Sequence, residues 1–416
     1  MTNNKTIQVF EHRQLKIDDV YNGNLFKRKH YEALSKLNIL HNNKYFETQH
    51  DGIKFKQYVG VIQVAGLTIE ILPKIDNHNG NEAIWQKVLI EMLRVTKKIK
   101  IQKVGEANVT RQNRYLLDLY FEWFLNEIQE LLNKGLIKQY YKETNNIKAL
   151  KGKLEFAGHI SKNLVHKERF YTTHQIYDKD HLIHQIIAKA LEIVKNCSKG
   201  TYLHHRTKTL LLDFPEVKNI SVTEATFSKI SENRKNIPYK TALAICKFII
   251  LNFAPNISSG SENMLALLFD MNLLWEEYIL VRLKQSDSQL PVYSQQSIGF
   301  WNGISIKPDI VIENGTQKYI IDTKWKNISY NKPSTHDLRQ MYVYNDYWNS
   351  TKAMLLYPSI KTDFNGFIKF ENCHRHTVDN NKIEQHECGL GKLSIFKDNG
   401  LELNDEIGNQ IIRWFK

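Results

Sequence analysis

Gly303-Ile-Ser-Ile-Lys-Pro-Asp309-Ile-Val-Ile-Glu-Asn-Gly315-Thr-Gln-Lys-Tyr-Ile-Ile-Asp322-Thr-Lys324-Trp-Lys326 carries two apolar runs on either side of Asn314-Gly315, a dipeptide that favours a tight turn between antiparallel strands. With Asn314 and Gly315 at the central turn positions, Glu313 faces Thr316 and Asp309 faces Ile320. Side chains alternate along a strand with period two, so Ile320, Asp322 and Lys324 share a face, and Asp309 shares it with them. Asp309 and Asp322 become diagonal neighbours, roughly 7 to 8 Å apart at the backbone. Two carboxylates and a lysine in an otherwise apolar hairpin need compensation, because buried charge is unfavourable unless it is paired. A divalent cation supplies it, and hard oxygen ligands with room for water suit Mg²⁺, or alternatively Mn²⁺. A surface hairpin with an incidental ion pair is the less favoured reading.

The rest of the composition describes an ordinary folded chain. At 416 residues there is room for two or three domains, and the mix of 42% hydrophobic and 24% charged residues argues against disorder. The two most apolar stretches, Ala242 to Phe253 and Met264 to Val281, are interrupted by Lys247 and by Asp270, Glu276 and Glu277, which makes both poor membrane spans. Met1 to Ile17 has charge where a signal peptide needs an apolar core, so the expectation is a cytoplasmic protein that does not enter a membrane. Four cysteines do not make a disulfide framework; Cys197 and Cys246 sit in apolar helical contexts that suit buried thiols. The net charge of +13 belongs to the front of the chain, since from Leu265 onward 17 Lys plus Arg meet 18 Asp plus Glu. A polyanion partner and a merely solvated Lys-rich surface explain that excess about equally well.

Alternating residues up to Ile75, with a turn expected at Ala65-Gly66 and a stop at Pro73, predict a small β-rich module over 1–80. A mainly helical, basic region follows over 81–256. Its helices are expected at Ile84 to Val95, at Arg114 to Lys134 with Gly135 as the stop, at His181 to Asn196 and at Tyr239 to Asn252. Within it, Lys138 to Arg169 interleaves lysines with Tyr140, Tyr141 and Phe156, a pattern that suits phosphates and bases, although a solvated loop and strand is the favoured reading. A boundary is placed at Asn256 to Gly260, where Pro255, Ser258, Ser259 and Gly260 cluster. A mixed αβ region occupies 257–416, with helices at Ser261 to Leu283 and Thr335 to Asn349 and strands between and after them. The fold class is therefore a multidomain α+β or α/β chain.

Pro308-Asp309 and Asp322-Thr323-Lys324 resemble the PD-(D/E)xK nuclease signature, and Gln340-Met-Tyr-Val-Tyr344 resembles the QxxxY element of its RecB-like members. Positions i and i+4 share a helix face, so Gln340 and Tyr344 can both approach the hairpin. Asp270-Met-Asn-Leu-Leu-Trp-Glu276 is similar to the helix motif that precedes this core in the McrC family. Thr68 to Ile75, Val88 to Leu93, Leu150-Lys-Gly-Lys-Leu154 and Asp337-Leu-Arg-Gln-Met341 extend the likeness across most of residues 55–360. Trp325 stands where that family commonly has an aromatic, and Trp275 where it usually has a smaller one. The resemblance implies a restriction-endonuclease-like αβ core in which Asp309, Asp322 and Glu276 hold the metal. Lys324, Gln340 and Tyr344 complete the catalytic set, with the adjacent Glu277 as a rival to Glu276. It further implies hydrolysis of double-stranded DNA in company with an McrB-like AAA+ GTPase hexamer that the N-terminal module faces. GTP would be used only by that partner, and nuclease domains or whole complexes would pair to cut both strands.

No G-x-x-x-x-G-K-[ST] loop occurs, and Gly389-Leu-Gly-Lys392 lacks both its spacing and its hydroxyl. Cys373, His376, His386 and Cys388 form a C-x-x-H and H-x-C pair whose first spacing suits zinc and whose second is tight; a hairpin with incidental polar residues is preferred. Asp178, Asp180, His181 and His184 can also be read as ligands, but Asp180 is better placed as a helix N-cap. Two other functions stay open: a self-sufficient repair or recombination nuclease, and a non-catalytic regulator of an AAA+ GTPase. The intact Asp309, Asp322 and Lys324 weigh against the second.

Overall fold

The computed structural model describes residues 5–75, 82–99, 115–255, 263–326, 328, 332–371, 386–397 and 403–415. Its contacts divide the chain into two compact units. One comprises Met1–Lys5, Gln63–Leu67 and Asn113–Leu267; the other comprises Thr6–Ile62, Thr68–Gln112 and Leu268–Lys416. The boundary expected at Asn256 to Gly260 lies outside the described residues.

In the first unit, helices Leu116–Lys134, Leu182–Cys197, Tyr202–Asp213 and Lys240–Leu251 pack on one another. Helix Leu116–Lys134 buries Leu117, Tyr120, Phe121, Phe124, Ile128 and Leu131 and also Leu119, Trp123 and Leu125, and Gly135 ends it at φ +84°, as expected. That φ suits a residue without Cβ. The basic stretch folds as a three-stranded antiparallel sheet, Lys153–Leu154 beside Phe170–Asp178 beside Gln139–Ile147, with helix Phe156–Asn163 inserted between its strands in sequence. Tyr140 and Tyr177 stack on each other at 4.4 Å. Helix Leu182–Cys197 has His181 at its N-cap position, not Asp180; Asp180 Oδ1 instead accepts from Gln185 Nε2 (2.7 Å) and Lys218 N–H (3.0 Å).

The second unit begins with strands, as expected, but also contains helix Arg28–Leu40, which buries His30, Ala33, Leu34, Leu37 and Asn38 along one face. Its larger part is a six-stranded sheet: β1 (Val292–Ser294), β2 (Ile310–Asn314), β3 (Gln317–Thr323), β4 (Lys352–Ser359), β5 (Asp363–Lys369) and β6 (Glu387–Ser394), in the order β1-β2-β3-β4-β6-β5. β3 and β4 run parallel, as do β4 and β6, while the outer pairs are antiparallel. Helix α1 (Met271–Lys284), α2 (Thr335–Tyr347) and α3 (Ile407–Phe415) pack in this unit; a Cβ on Gly408 would clash with the Arg282 carbonyl oxygen, so a glycine there lets α3 pack against the end of α1. Gly389 to Lys392 lies inside β6.

A single helix over Ser261 to Leu283 does not form. Asn263–Asp270 is a strand, and α1 starts at Met271 with Asp270 as its N-cap, the carboxylate accepting from Asn272 N–H at 3.0 Å. Met264 to Leu268 is an unbroken apolar run, buried at every position, and such a run reads equally well as a buried strand or a buried helix.

The β2–β3 hairpin turns at Gly315-Thr316, one residue later than Asn314-Gly315, with Asn314 paired to Gln317. Gly315 takes φ +62° while Thr316 stays out of the positive region, the pattern of a turn needing glycine only at its first central position. This register sets Glu313 across from Lys318, where they form an ion pair at 3.4 Å, and Val311 across from Ile320. A charged pair and an apolar pair each gain from being opposite. Relative to the expected register the pairing moves by an even number, so every side chain keeps its face.

Candidate active site

One face of the sheet carries Val311, Ile320, Ala353, Leu355 and Tyr357, packed against Met341 and Tyr344 of α2 and Trp348 just beyond it. Asp322 continues that face one alternation beyond Ile320, beside Leu355 of β4. Extending the β2–β3 register by one step puts Asp309 directly across from Asp322, closer than the diagonal relation expected; such pairs stand roughly 4.5 to 5.5 Å apart at the backbone.

Each acid is held differently. Asp309 Oδ2 accepts from the Thr323 N–H (2.7 Å) and hydroxyl (2.9 Å), so the end of β3 clamps the carboxylate at the start of β2. Asp322 is 2% exposed. Lys324 Nζ lies 2.6 Å from its Oδ2 as an ion pair, yet that buried oxygen completes no hydrogen bond of ordinary geometry. Burial and then the charge of Asp309 push the Asp322 carboxyl up to about 6, against the pull of Lys324. Burial opposes the charge on Lys324, but Asp322, Asp337 and Asp309 together raise its pKa.

Of the two neighbouring glutamates on α1, Glu276 belongs to this cluster and Glu277 does not. Glu277 pairs with Lys98 at 2.9 Å. Burial and then Asp309 push Glu276 up to about 7, while its Oε1 accepts from Gln295 Nε2 at 2.8 Å. Asp309 thus raises the pKa of both Glu276 and Asp322.

On α2, Lys324 Nζ donates to Gln340 Oε1 at 3.5 Å, Gln340 Nε2 donates to Tyr344 OH at 2.8 Å, and Tyr344 OH donates to the Lys307 carbonyl at 2.8 Å. The chain of bonds therefore runs from the lysine to the backbone two residues before Asp309. Asp337, quoted above only for its sequence context, is N-capped by Ser334 and faces Lys326 at 2.8 Å and Lys324 at 3.9 Å.

Gln295 is a member that sequence reasoning missed. Besides Glu276 it binds the Asp309 carbonyl through its N–H (3.0 Å) and accepts from Lys307 Nζ (3.1 Å), on a backbone at φ +49°. Nothing in Ser294-Gln-Gln-Ser297 marks it, because its partners come from α1 and β2.

Among the described residues, no three His, Cys, Asp or Glu side chains stand close enough together to hold a metal ion. The donor set nevertheless has the chemistry of a hard-cation site: carboxylates only, two of them with raised pKa values, and a buried Asp322 oxygen that already faces a cation, the Lys324 ammonium, at 2.6 Å. Elsewhere, His184 Nδ1 is 2.7 Å from the Lys179 carbonyl, and burial pushes the ring down to about 4. Cys373 and His376 lie outside the described residues; His386 and Cys388 are both buried, with Cys388 in the core behind α2.

A profile of the McrBC 5-methylcytosine restriction system component family matches residues 53–358, nearly three quarters of the chain. This chain belongs to that family. The match embraces the hairpin, α1, and α2 with Gln340 and Tyr344. Among McrBC proteins, the chain is 22% identical over 294 residues to the type IV methyl-directed restriction enzyme EcoKMcrBC of Escherichia coli K12, a span covering 63% of this chain and 82% of that one. In fold it is similar to a chain of the Thermococcus gammatolerans assembly of McrB AAA+ hexamers with bound McrC. There the TM-score is 0.67 at 19% identity, over 99% of this chain and 100% of the other. These McrC-type features sit in a chain whose described residues include no helix long and apolar enough to cross a membrane.

Proposed function

We propose that this chain is the endonuclease subunit of an McrBC-like restriction system, hydrolysing phosphodiester bonds of double-stranded DNA with Mg²⁺ or Mn²⁺ and stimulating an AAA+ GTPase partner. The observation that carries the reading is the electrostatic cluster around Asp309, which raises the pKa of Glu276 and of Asp322, with Lys324 paired to Asp322 at the end of a buried hairpin. Asp309, Asp322 and Glu276 would hold the divalent cation, which when bound supplies Lewis-acid stabilisation of the phosphate and acidifies water. In this structure the positive charge on Asp322 comes from Lys324. With its raised pKa the lysine stays an ammonium, suited to orienting the attacking water and screening charge that accumulates on the phosphate. Gln340 steadies that ammonium through Oε1, and Tyr344 fastens Gln340 to the Lys307 backbone, two residues before Asp309.

The partner is expected because the McrC chain of similar fold is described bound to McrB AAA+ hexamers, and because this chain lacks a phosphate-binding loop. Purified chain should neither hydrolyse GTP nor cut duplex DNA efficiently with Mg²⁺, and should raise GTP turnover and cut DNA when mixed with its AAA+ GTPase. Efficient cutting by the chain with metal alone would replace this reading with the self-sufficient nuclease. GTPase stimulation without cleavage under any condition would replace it with the regulator.

A further inference from the structure

Glu11 follows the N-terminal strand Lys5–Phe10 and is 4% exposed. Its Oε1 accepts from the Trp325 indole Nε1 at 2.7 Å and from the Lys74 N–H at 3.1 Å. Trp325 is buried and its ring lies 5.5 Å from that of Trp275 at 60°; Trp275 is fully buried and stacks on Tyr278. The two tryptophans are placed with consequence: Trp325 directly follows Lys324, and Trp275 directly precedes Glu276.

Strand β3 stops pairing with β2 at Ile321 and ends at Thr323, so Lys324 lies beyond both. Its N–H still reaches the Leu356 carbonyl at 2.9 Å. Beyond that bond the Lys326 N–H closes on the Lys324 carbonyl at 3.0 Å, and the ring of Trp325 between them is anchored on Glu11. An indole N–H needs an acceptor when buried, and a carboxylate oxygen is a stronger one than a carbonyl. Glu11 is otherwise an expensive choice at this place, since burial pushes its carboxyl up to about 7.

We propose that Glu11 is a positioning residue for the nuclease site, its carboxyl group anchoring the Trp325 indole so that the Trp325–Trp275 ring pair holds Lys324 and Glu276 in register. This rests on the nuclease reading, and it adds to that reading a residue from the far end of the sequence that touches neither metal ligands nor DNA.

The test uses the full chain assembled with its AAA+ GTPase. Glu11→Ala should lower kcat for cleavage about tenfold or more, leaving KM for DNA within about twofold, because the loss lies in placing Lys324 and not in holding substrate. Glu11→Gln should recover most of that rate, since its amide oxygen still accepts the indole proton. Trp325→Phe keeps a ring on Trp275 while removing the N–H, and should reproduce the kcat loss if Glu11→Ala does not fold. In ¹⁵N-tryptophan spectra of the chain alone, the indole resonance absent from Trp325→Phe should shift in Glu11→Gln, a readout independent of cleavage. Unchanged kcat in folded Glu11→Ala and in Trp325→Phe, or a loss that falls on KM and is not rescued by Gln, overturns the proposal. An indole shift in Glu11→Gln together with a wild-type assembly that never cuts DNA would instead overturn the nuclease reading beneath it.

Discussion

Among the described residues, two buried carboxylates sit on strands and differ in almost everything else. Glu70, on strand Leu67–Leu72, is 1% exposed and its Oε2 accepts side-chain amide protons from Gln8 (2.9 Å) and Gln86 (2.8 Å). Asp322, on β3, is 2% exposed, and its Oδ2 has a nearby ammonium, a second carboxylate across the hairpin and no completed hydrogen bond. Burial alone therefore does not mark a site. Glu70 meets two neutral amide donors among the described residues, whereas Asp322 sits in a field of charges that another cation would balance better.

The largest expected effect separates the two. Asp322→Asn or Asp309→Asn should reduce metal-dependent cleavage by more than about a hundredfold, beyond what loss of a residue merely supporting a metal site produces. Glu70→Gln should leave cleavage nearly unchanged and alter stability by no more than about 1 kcal/mol, because one amide oxygen can still accept both glutamine donors. Comparable losses of cleavage in folded Asp322→Asn and Glu70→Gln would erase the distinction.

A second experiment divides the Asp322 cluster itself. Lys324→Ala should also lose cleavage by about a hundredfold, as removal of a single charge-stabilising donor does. It should keep most of its Mn²⁺ affinity by calorimetry, since the lysine is not a ligand in this reading. Stimulation of the partner GTPase should persist in this variant and in both Asp→Asn variants. Full cleavage by Lys324→Ala would remove the lysine from the mechanism.

The smallest effect is on stability. Asp322 has a folded-state pKa of about 6 against an ordinary 3.8, so the folded chain holds a proton that the unfolded chain has released. Its contribution to stability is complete below pH 3.8 and is lost as pH rises through 6. In EDTA at pH 8, Asp322→Asn should accordingly be more stable than wild type, by about 1 to 3 kcal/mol in thermal unfolding, and saturating Mg²⁺ should narrow the gap by stabilising only the wild type. A wild-type chain no less stable than Asp322→Asn at pH 8 in EDTA would mean that the Asp322 charge is already fully compensated by Lys324.

Several of these residues could be read directly from the chain. Period-two alternation put Asp309, Asp322 and Lys324 on one face, and the face survived a misplaced turn because the register differed by an even number. Helical spacing put Gln340 and Tyr344 together, and the structure joins them by a hydrogen bond. These are local periodicities, fixed by backbone geometry whatever the rest of the chain does.

What the sequence could not contain were relations between distant segments. Met264 to Leu268 is apolar enough for either a strand or a helix, and only pairing and burial on both faces made it a strand. Glu276 and Glu277 are chemically alike, and it is Lys98 on one side and Asp309 with Gln295 on the other that gives them different work. Glu11 and Trp325 stand 314 residues apart and meet through a single hydrogen bond. The sequence by itself determined which side chains share a face. The tertiary structure decided which charges are paired, because pairing depends on distances through space that no local period encodes.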